Sequence, residues 1–88
     1  MAMTLILDDI DQGLINAVVS ADRTGAGIVQ MDVSSDMHVA MAPGYGRPPR
    51  IDLRDDAGTL WNVQLDGSLQ LIPGHLFRLG GTASRCDP

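Results

Sequence analysis

The sequence predicts an α+β fold in which one N-terminal helix packs on an antiparallel sheet, or on a partly closed small barrel, of about six short strands. Three observations predict it: an apolar stripe at helical spacing in residues 8–21, a candidate hairpin at 28–42 and a candidate four-stranded meander at 51–79. We expect residues 1–79 to form a single α+β domain. Residues 80–88 show no apolar periodicity, and we expect them to form a disordered tail.

The N-terminal region begins with an apolar run at residues 3–7, which is either a short strand or a lead into the helix. Asp9, followed three positions later by Gln12, has the spacing of a capping box, and aspartates in a first turn favour the positive end of the helix dipole. Four apolar residues then recur at helical spacing: Ile10, Leu14, Val18 and Ala21. Together these features predict the helix over residues 8–21.

The candidate hairpin consists of residues 29–33 and 37–41, joined by a Ser-Ser-Asp segment. A three-residue loop there collects valines and methionines on one face of the hairpin. The other face places Asp32 opposite His38. We interpret the apolar face as core that packs against the helix, and an adaptable groove for a partner is the alternative.

The candidate meander has four runs in which apolar and polar residues alternate, as they do in strands: 51–54, 60–64, 68–72 and 76–79. Three-residue loops between the runs, with Gly58 and Gly67 in the left-handed conformation and Gly74 in the third loop, keep the apolar residues on one face. That face carries Ile51, Leu53, Trp61, Val63, Leu69, Leu71, Phe77 and Leu79. The opposite face carries Asp52, Asn62, Gln70 and Arg78.

One apolar cluster remains outside this single core. In the predicted register Leu60 faces Ile72 and Ile72 faces Leu76, on the polar face of the sheet. A sheet with apolar residues on both faces needs cover on both, and a chain of 88 residues has little left to supply it. We therefore predict a homodimer, with Leu60, Ile72 and Leu76 as the self-association patch.

The composition limits the possible partners. All 11 acidic residues are aspartate and all 6 basic residues are arginine, which gives a net charge of −5. Nucleic-acid surfaces need clustered positive charge, so this balance argues against a nucleic-acid partner. The single cysteine, Cys86, excludes an internal disulfide framework. The sequence shows no signal-peptide pattern and no apolar stretch of membrane-spanning length, so we expect a cytoplasmic protein without a membrane partner.

Catalytic and metal-binding motifs are not evident in the sequence. Asp32 beside His38 is the nearest arrangement to an acid–base dyad, but catalysis also needs a nucleophile or a metal ion. The simpler interpretation is a surface ion pair. The chain has no CxxC pair and no HExxH segment, so the sequence predicts no metal site and no cofactor, and it favours a non-enzymatic role.

The most distinctive surface segment is the proline- and glycine-rich loop at residues 43–50, which carries Tyr45, Arg47 and Arg50. Arginines beside a diproline and a tyrosine suit contact with a phosphate, a carboxylate or a base, although such a loop also serves as a plain connection. The leading hypothesis is a self-associating binding or interaction module with an unidentified protein or small-molecule partner. The alternative is a minimal enzyme or small-ligand binder with its site around a helix–sheet pocket: Asp32, His38, Tyr45 and Arg47.

Overall fold

The computed structural model describes residues 1–41 and 48–86, and these residues form a closed antiparallel β-barrel with one short helix. In chain order the elements are β1 (Ala2–Leu7), β2 (Ile10–Ala21), β3 (Ala26–Ser34), α1 (Ser35–Met41), β4 (Ile51–Arg54), β5 (Leu60–Ile72) and β6 (Leu76–Arg85). Around the barrel the order is β1-β2-β3-β6-β5-β4, and β4 pairs with β1 to close it. The α+β prediction is therefore wrong, whereas its barrel alternative fits the structure.

The hydrophobic core fills the interior of the barrel. Every described strand contributes inward-facing residues, as the alternation of side chains along a strand requires: Met3, Leu5, Leu7, Ala17, Val29, Met31, Val33, Ile51, Leu53, Val63, Leu79 and Ala83. Helix α1 covers one end, where Met41 is buried and Met37 packs against the core. Among residues 1–41 and 48–86, no helix is long and apolar enough to cross a membrane.

The predicted N-terminal helix is wrong: residues 8–21 form a turn and strand β2, which makes a β-hairpin with β1, the apolar run before it. Asp8 and Asp9 have left-handed φ angles of 49° and 68° and form the two-residue turn between β1 and β2. A type I′ hairpin turn requires positive φ at both central positions, which aspartate tolerates better than most residues. The apolar stripe does not distinguish a helix from a strand, because residues an even number of positions apart also lie on one face of a strand. Leu14 and Val18 therefore also share one face of a strand, here the exposed outer face. Ile10 lies beyond a bulge in β2, pairs with Leu7 and is exposed as well.

Only the first half of the predicted hairpin at 28–42 is a strand, namely β3. The second half is α1, so the predicted pairing of Asp32 with His38 across a hairpin is wrong. The Ser34 hydroxyl accepts a hydrogen bond from the Met37 N–H at 3.2 Å, as an N-cap residue does. An aspartate in the first turn adds favourable charge. The Ser-Ser-Asp segment is therefore a helix start rather than a hairpin loop.

The meander is confirmed at two of its turns and wrong at the third. Strands β4 and β5 pair Leu53 with Trp61, and strands β5 and β6 pair Leu71 with Phe77, as the sequence predicts. Between these two pairings β5 runs on without a turn. Gly67 has the predicted left-handed φ, 88°, but it lies in an irregular, bulged part of one long strand.

Residues 80–85 are the second half of β6, so the predicted disordered tail is wrong for this segment. They pair with β3 on one side and with β5 on the other. The segment begins with Gly80 and Gly81. Because glycine has no side chain, these two positions show no alternation of apolar and polar residues, and no strand pattern is visible in the sequence there. Residues 87–88 lie outside the described part of the chain.

Candidate functional site

Strand β5 extends well beyond the strand that closes the barrel. Strand β4 pairs only with the start of β5, and the last pair is Ile51 with Val63. Strand β5 then continues to Ile72 with β6 as its partner. We call residues 68–79, which comprise the end of β5, the turn and the start of β6, the arm. In the described part of the chain no strand pairs with the other side of residues 68–72, which we call the open edge.

Hydrogen bonds at the far end of β6 show which of its backbone groups point at β5. The Cys86 N–H donates to the Leu60 carbonyl at 2.8 Å, and the Arg85 N–H donates to the Gly25 carbonyl at 2.7 Å. The backbone groups of a strand alternate between its two neighbours, so even-numbered residues of β6 bond to β5 and odd-numbered residues bond to β3. This alternation holds along all of β6, because its pairing with β3 runs without a bulge.

The same alternation identifies the groups at the open edge. Gln70 pairs with Arg78, an even-numbered residue, so the backbone of Gln70 is bonded to β6. Leu69 and Leu71 therefore direct their N–H and C=O groups away from β6 and toward the open edge. Unpaired edge groups of this kind are a template for another strand.

The side chains of Leu69 and Leu71 are exposed at the same place. They lie on the inner face of the sheet, because they pair with the inward-facing Leu79 and Phe77, yet they are 52% and 74% exposed. Closure of the barrel stops before the arm, so no strand of the described chain lies opposite them. Helix α1 lies beside Phe77, whose ring centroid is 5.1 Å from that of His38. The arm thus presents apolar side chains next to unpaired backbone groups.

The start of β2 has a second edge that is built differently. Residues 10–15 pair with β1 but not with β3. There Gly13 has a φ of 94°, and its N–H donates to the Asp11 carboxylate at 2.7 Å. Charged residues and local irregularity are features that keep edge strands from pairing with other chains. Residues 67–74 of β5 and the following turn contain no Asp and no Arg, so the open edge lacks this protection.

The structure pairs Asp32 with Arg78 rather than with His38. The Arg78 Nε lies 2.9 Å from Asp32 Oδ1, and the Asn16 amide donates to Oδ2 at 3.1 Å. The hydrogen bond from Arg78 holds the pKa of Asp32 below its usual value. His38 instead lies against Phe77. Asp32 and Arg78 therefore form an ionised pair that ties β3 to β6 at the base of the arm.

The predicted loop site is only partly described. Arg50 makes an ion pair with Asp52, in which Nε lies 3.0 Å from Oδ2, and the neighbouring carboxylate raises the pKa of Arg50. Asp52 is only 1% exposed and also accepts a hydrogen bond from Asn62 at 3.2 Å. Tyr45 and Arg47 lie outside the described residues.

The structure does not bring the predicted self-association patch together. Ile72 pairs with Leu76 at the tip of the arm. Leu60 pairs with Arg54 at the opposite end of the barrel, because β5 does not turn back between Leu60 and Ile72. The sequence signal that marks the open edge is instead the uncharged run at 67–74, with its two leucines separated by one residue.

A half-open cavity of about 890 Å³ lies at the end of the barrel that carries α1. Its apolar lining consists of Met41, Pro48, Pro49, Ile51, Val63 and Leu65. Its polar lining consists of Asp8, Asp9, Arg50, Asn62 and Gln64, and includes neither Asp32 nor His38. Residues 42–47, which connect two parts of the lining, are outside the described chain. No group of three or more His, Cys, Asp or Glu within the described residues could hold a metal ion.

Comparison with known proteins finds no matching family model, no matching curated protein and no matching solved structure.

Proposed function

We propose that this chain is a cytoplasmic interaction module without catalytic function, which binds an extended segment of a partner protein along the open edge. One observation supports it above all: Leu69 and Leu71 combine backbone groups that have no strand partner within residues 1–41 and 48–86 with side chains exposed to solvent. In β-strand addition, main-chain hydrogen bonds provide affinity and alternate side chains provide specificity. The same two residues supply both at the open edge.

The expected affinity for a short peptide is low. A partner strand of about five residues makes about four backbone hydrogen bonds, each worth about 1 kcal/mol net. Packing on the two leucines adds roughly 1–2 kcal/mol for each side chain. Association costs at least about 4 kcal/mol in lost freedom of motion. The balance of a few kcal/mol corresponds to a dissociation constant in the millimolar range, which NMR titration detects.

The test uses a capped synthetic peptide of alternating leucine and threonine, titrated into the ¹⁵N-labelled protein. Amide shifts should change along residues 68–72 and at Phe77. Leu71→Pro removes an N–H that points to the open edge and leaves the bonds to β6 in place, so binding should be lost without unfolding. Leu71→Thr keeps that N–H and should retain weakened binding.

Two results would contradict the proposed function. One is a set of shift changes centred on residues 10–15 of β2 rather than on the open edge. The other is equal binding to the parent chain and to Leu71→Pro, since a bound strand must use the N–H that proline lacks.

The cavity supports a second candidate function, binding of a small apolar ligand at the end of the barrel. Pockets that combine an apolar wall with a few polar groups are typical small-molecule sites. The neutral dye Nile red is the probe, and its fluorescence should rise on addition of the parent chain. Leu65→Trp fills part of the cavity and should reduce that rise, whereas Leu14→Trp, on the exposed face of β2, should not. Equal fluorescence with both variants would exclude the cavity as the site.

A further inference from the structure

We propose that the strand received by the open edge is β5 of a second copy of this chain, paired antiparallel about a twofold axis at Gln70. This inference rests on the proposed function, because it names the partner of the same edge. In this arrangement Leu69 of each copy lies opposite Leu71 of the other. The two Gln70 residues face each other at the axis.

The direction of the backbone groups permits this register. Leu69 and Leu71 both point their N–H and C=O groups at the open edge, so they can form the hydrogen-bonded pairs of an antiparallel ladder. Gln70 points its groups at β6 and becomes a non-hydrogen-bonded pair with its own copy. The two pairs of leucines supply about four hydrogen bonds between the copies. A register shifted by one residue would place bonded groups against unbonded ones.

The side chains are self-complementary in the same register. Residues directly opposite in an antiparallel ladder share a face, so the four leucines of the two copies meet on the inner face of the joined sheet. The two Gln70 side chains meet on the outer face. The Leu-Gln-Leu segment reads the same in both directions, so a single patch serves both copies.

Charge also favours a second copy at this edge over one elsewhere. Each chain carries a net charge of −5, so two copies repel each other. Residues 67–74 carry no Asp or Arg, and pairing there puts no like charges face to face. Residues 10–15 of β2 include Asp11, so pairing of two copies there would put a carboxylate from each copy into the contact. A contact between β2 of one copy and β5 of the next is heterologous, so it would build a ring or a filament rather than a twofold pair.

The contact is small, which fixes the conditions of the test. A ladder of about five residues buries much less than the ~800 Å² per partner of stable complexes. About four hydrogen bonds and the four leucines, less the cost of association, leave about 4–8 kcal/mol, so we expect a dimer with a dissociation constant between about 1 µM and 1 mM. Because the chains repel each other, a rise from low to moderate salt should tighten the dimer.

Self-association is measured by sedimentation velocity from about 10 µM to 1 mM, the range set by this expected affinity. The parent chain should shift from a mass of 9.4 kDa toward twice that mass. Leu71→Asp places a carboxylate beside the leucines of the second copy and should raise the dissociation constant at least about tenfold. Leu14→Asp is the matched control, since Leu14 is 72% exposed and Leu71 is 74% exposed. It should change the constant by less than about twofold.

The register is tested by disulfide trapping in a Cys86→Ser background. Gln70→Cys should form a disulfide-linked dimer under mild oxidation, because opposed non-hydrogen-bonded residues have Cα atoms about 4.5 Å apart, within disulfide range. In the same register two copies of residue 68 lie about 13 Å apart, so Ser68→Cys should not form a bridge. Gln30→Cys is the control on a strand with neighbours on both sides and should remain monomeric. Circular dichroism should show the parent's strand signal for every variant.

Each outcome bears on the inference separately from the proposed function. A mass of 9.4 kDa at all concentrations overturns self-pairing, and the proposed function then stands or falls with the peptide titration. A dimer in which Leu71→Asp has no more effect than Leu14→Asp also overturns it, as does a dimer that weakens with added salt. Trapping through Ser68→Cys rather than Gln70→Cys overturns the register. Trapping of Gln70→Cys with disruption by Leu71→Asp is the result expected.

Discussion

Replacement of Gly81 by alanine tests the closest approach between β5 and β6, at the point where the barrel gives way to the arm. A Cβ atom on Gly81 would lie 2.1 Å from the Gln64 carbonyl oxygen and 3.0 Å from the Leu65 Cα. Both atoms belong to backbone, so no side chain can rotate away and the strand itself must move by about 1 Å to reach ordinary contact. Overpacking of this kind costs about 1–3 kcal/mol when side chains can adjust.

Because the backbone must move here, we expect the upper part of that range, a loss of about 2–3 kcal/mol of unfolding free energy. For a chain of this size that corresponds to a fall in melting temperature of about 10–20 °C. Urea unfolding followed by Trp61 fluorescence measures the free energy. The slope of the unfolding free energy against urea concentration should stay near that of the parent chain. Unfolding exposes a similar area of surface in the variant and in the parent.

Gly80→Ala is the matched control on the neighbouring residue. A Cβ atom on Gly80 would lie 3.4 Å from the Ser68 Cβ, which is an ordinary contact. Its unfolding free energy should stay within about 0.5 kcal/mol of the parent value. Equal midpoints for Gly80→Ala and Gly81→Ala would refute the close approach of the two strands, and with it the position of the bulge from which the arm extends.

Three further predictions address the core, the ion pair and the first turn. Leu53→Ala should lower the unfolding free energy by about 2–5 kcal/mol in urea titration, because Leu53 is fully buried, whereas Leu14→Ala should change it by less than about 0.5 kcal/mol. Arg78→Gln should lower the melting temperature at neutral pH. Since Arg78 depresses the pKa of Asp32, the stability it adds is present above the unfolded-state pKa of about 4 and is lost as the pH falls through the folded-state pKa. Melting curves of variant and parent should therefore converge in acid. Asp9→Gly should raise the unfolding free energy by about 0.5–1 kcal/mol, because glycine adopts the φ of 68° without strain.

Turn chemistry was the most informative signal in the sequence. The loop with Gly58 fixed the pairing of Leu53 with Trp61, and the turn after Ile72 fixed the pairing of Ile72 with Leu76. Both predictions succeed because a short hairpin loop sets the register of its strands without help from the rest of the chain. The helix prediction failed for the opposite reason. A spacing of four residues suits one face of a helix and one face of a strand, and only tertiary pairing decides between them.

The sequence does not predict the arm, because the local conformation at Asp66 and Gly67 occurs both in hairpin turns and in bulged strands. The Asp66 carboxylate accepts a hydrogen bond from the Ser68 N–H at 2.8 Å, and Gly67 has a φ of 88°. The same arrangement can end a hairpin or form a bulge in a continuous strand. The partner strand decides, and here Leu65 pairs with Gly81, which the sequence had assigned to a disordered tail. Read as a hairpin loop, residues 65–67 place Leu69 on the apolar face opposite Val63, whereas in the structure Leu69 pairs with Leu79.

The length of β5 is not explained by the stability of the barrel alone. Closure of a sheet removes its edges, and β4 achieves that closure with only four residues. Strand β5 has 13 residues, and β4 does not pair with its end. Leu69 and Leu71 are therefore exposed there, and their backbone groups on that side have no strand partner in the described chain. An exposed edge without charge favours aggregation unless another strand covers it. In the proposed pairing a second copy covers this edge in a closed pair, whereas the edge of β2 carries its own protection in Asp11 and Gly13. The contrast between the two edges is therefore the physical basis for assigning a partner to the arm.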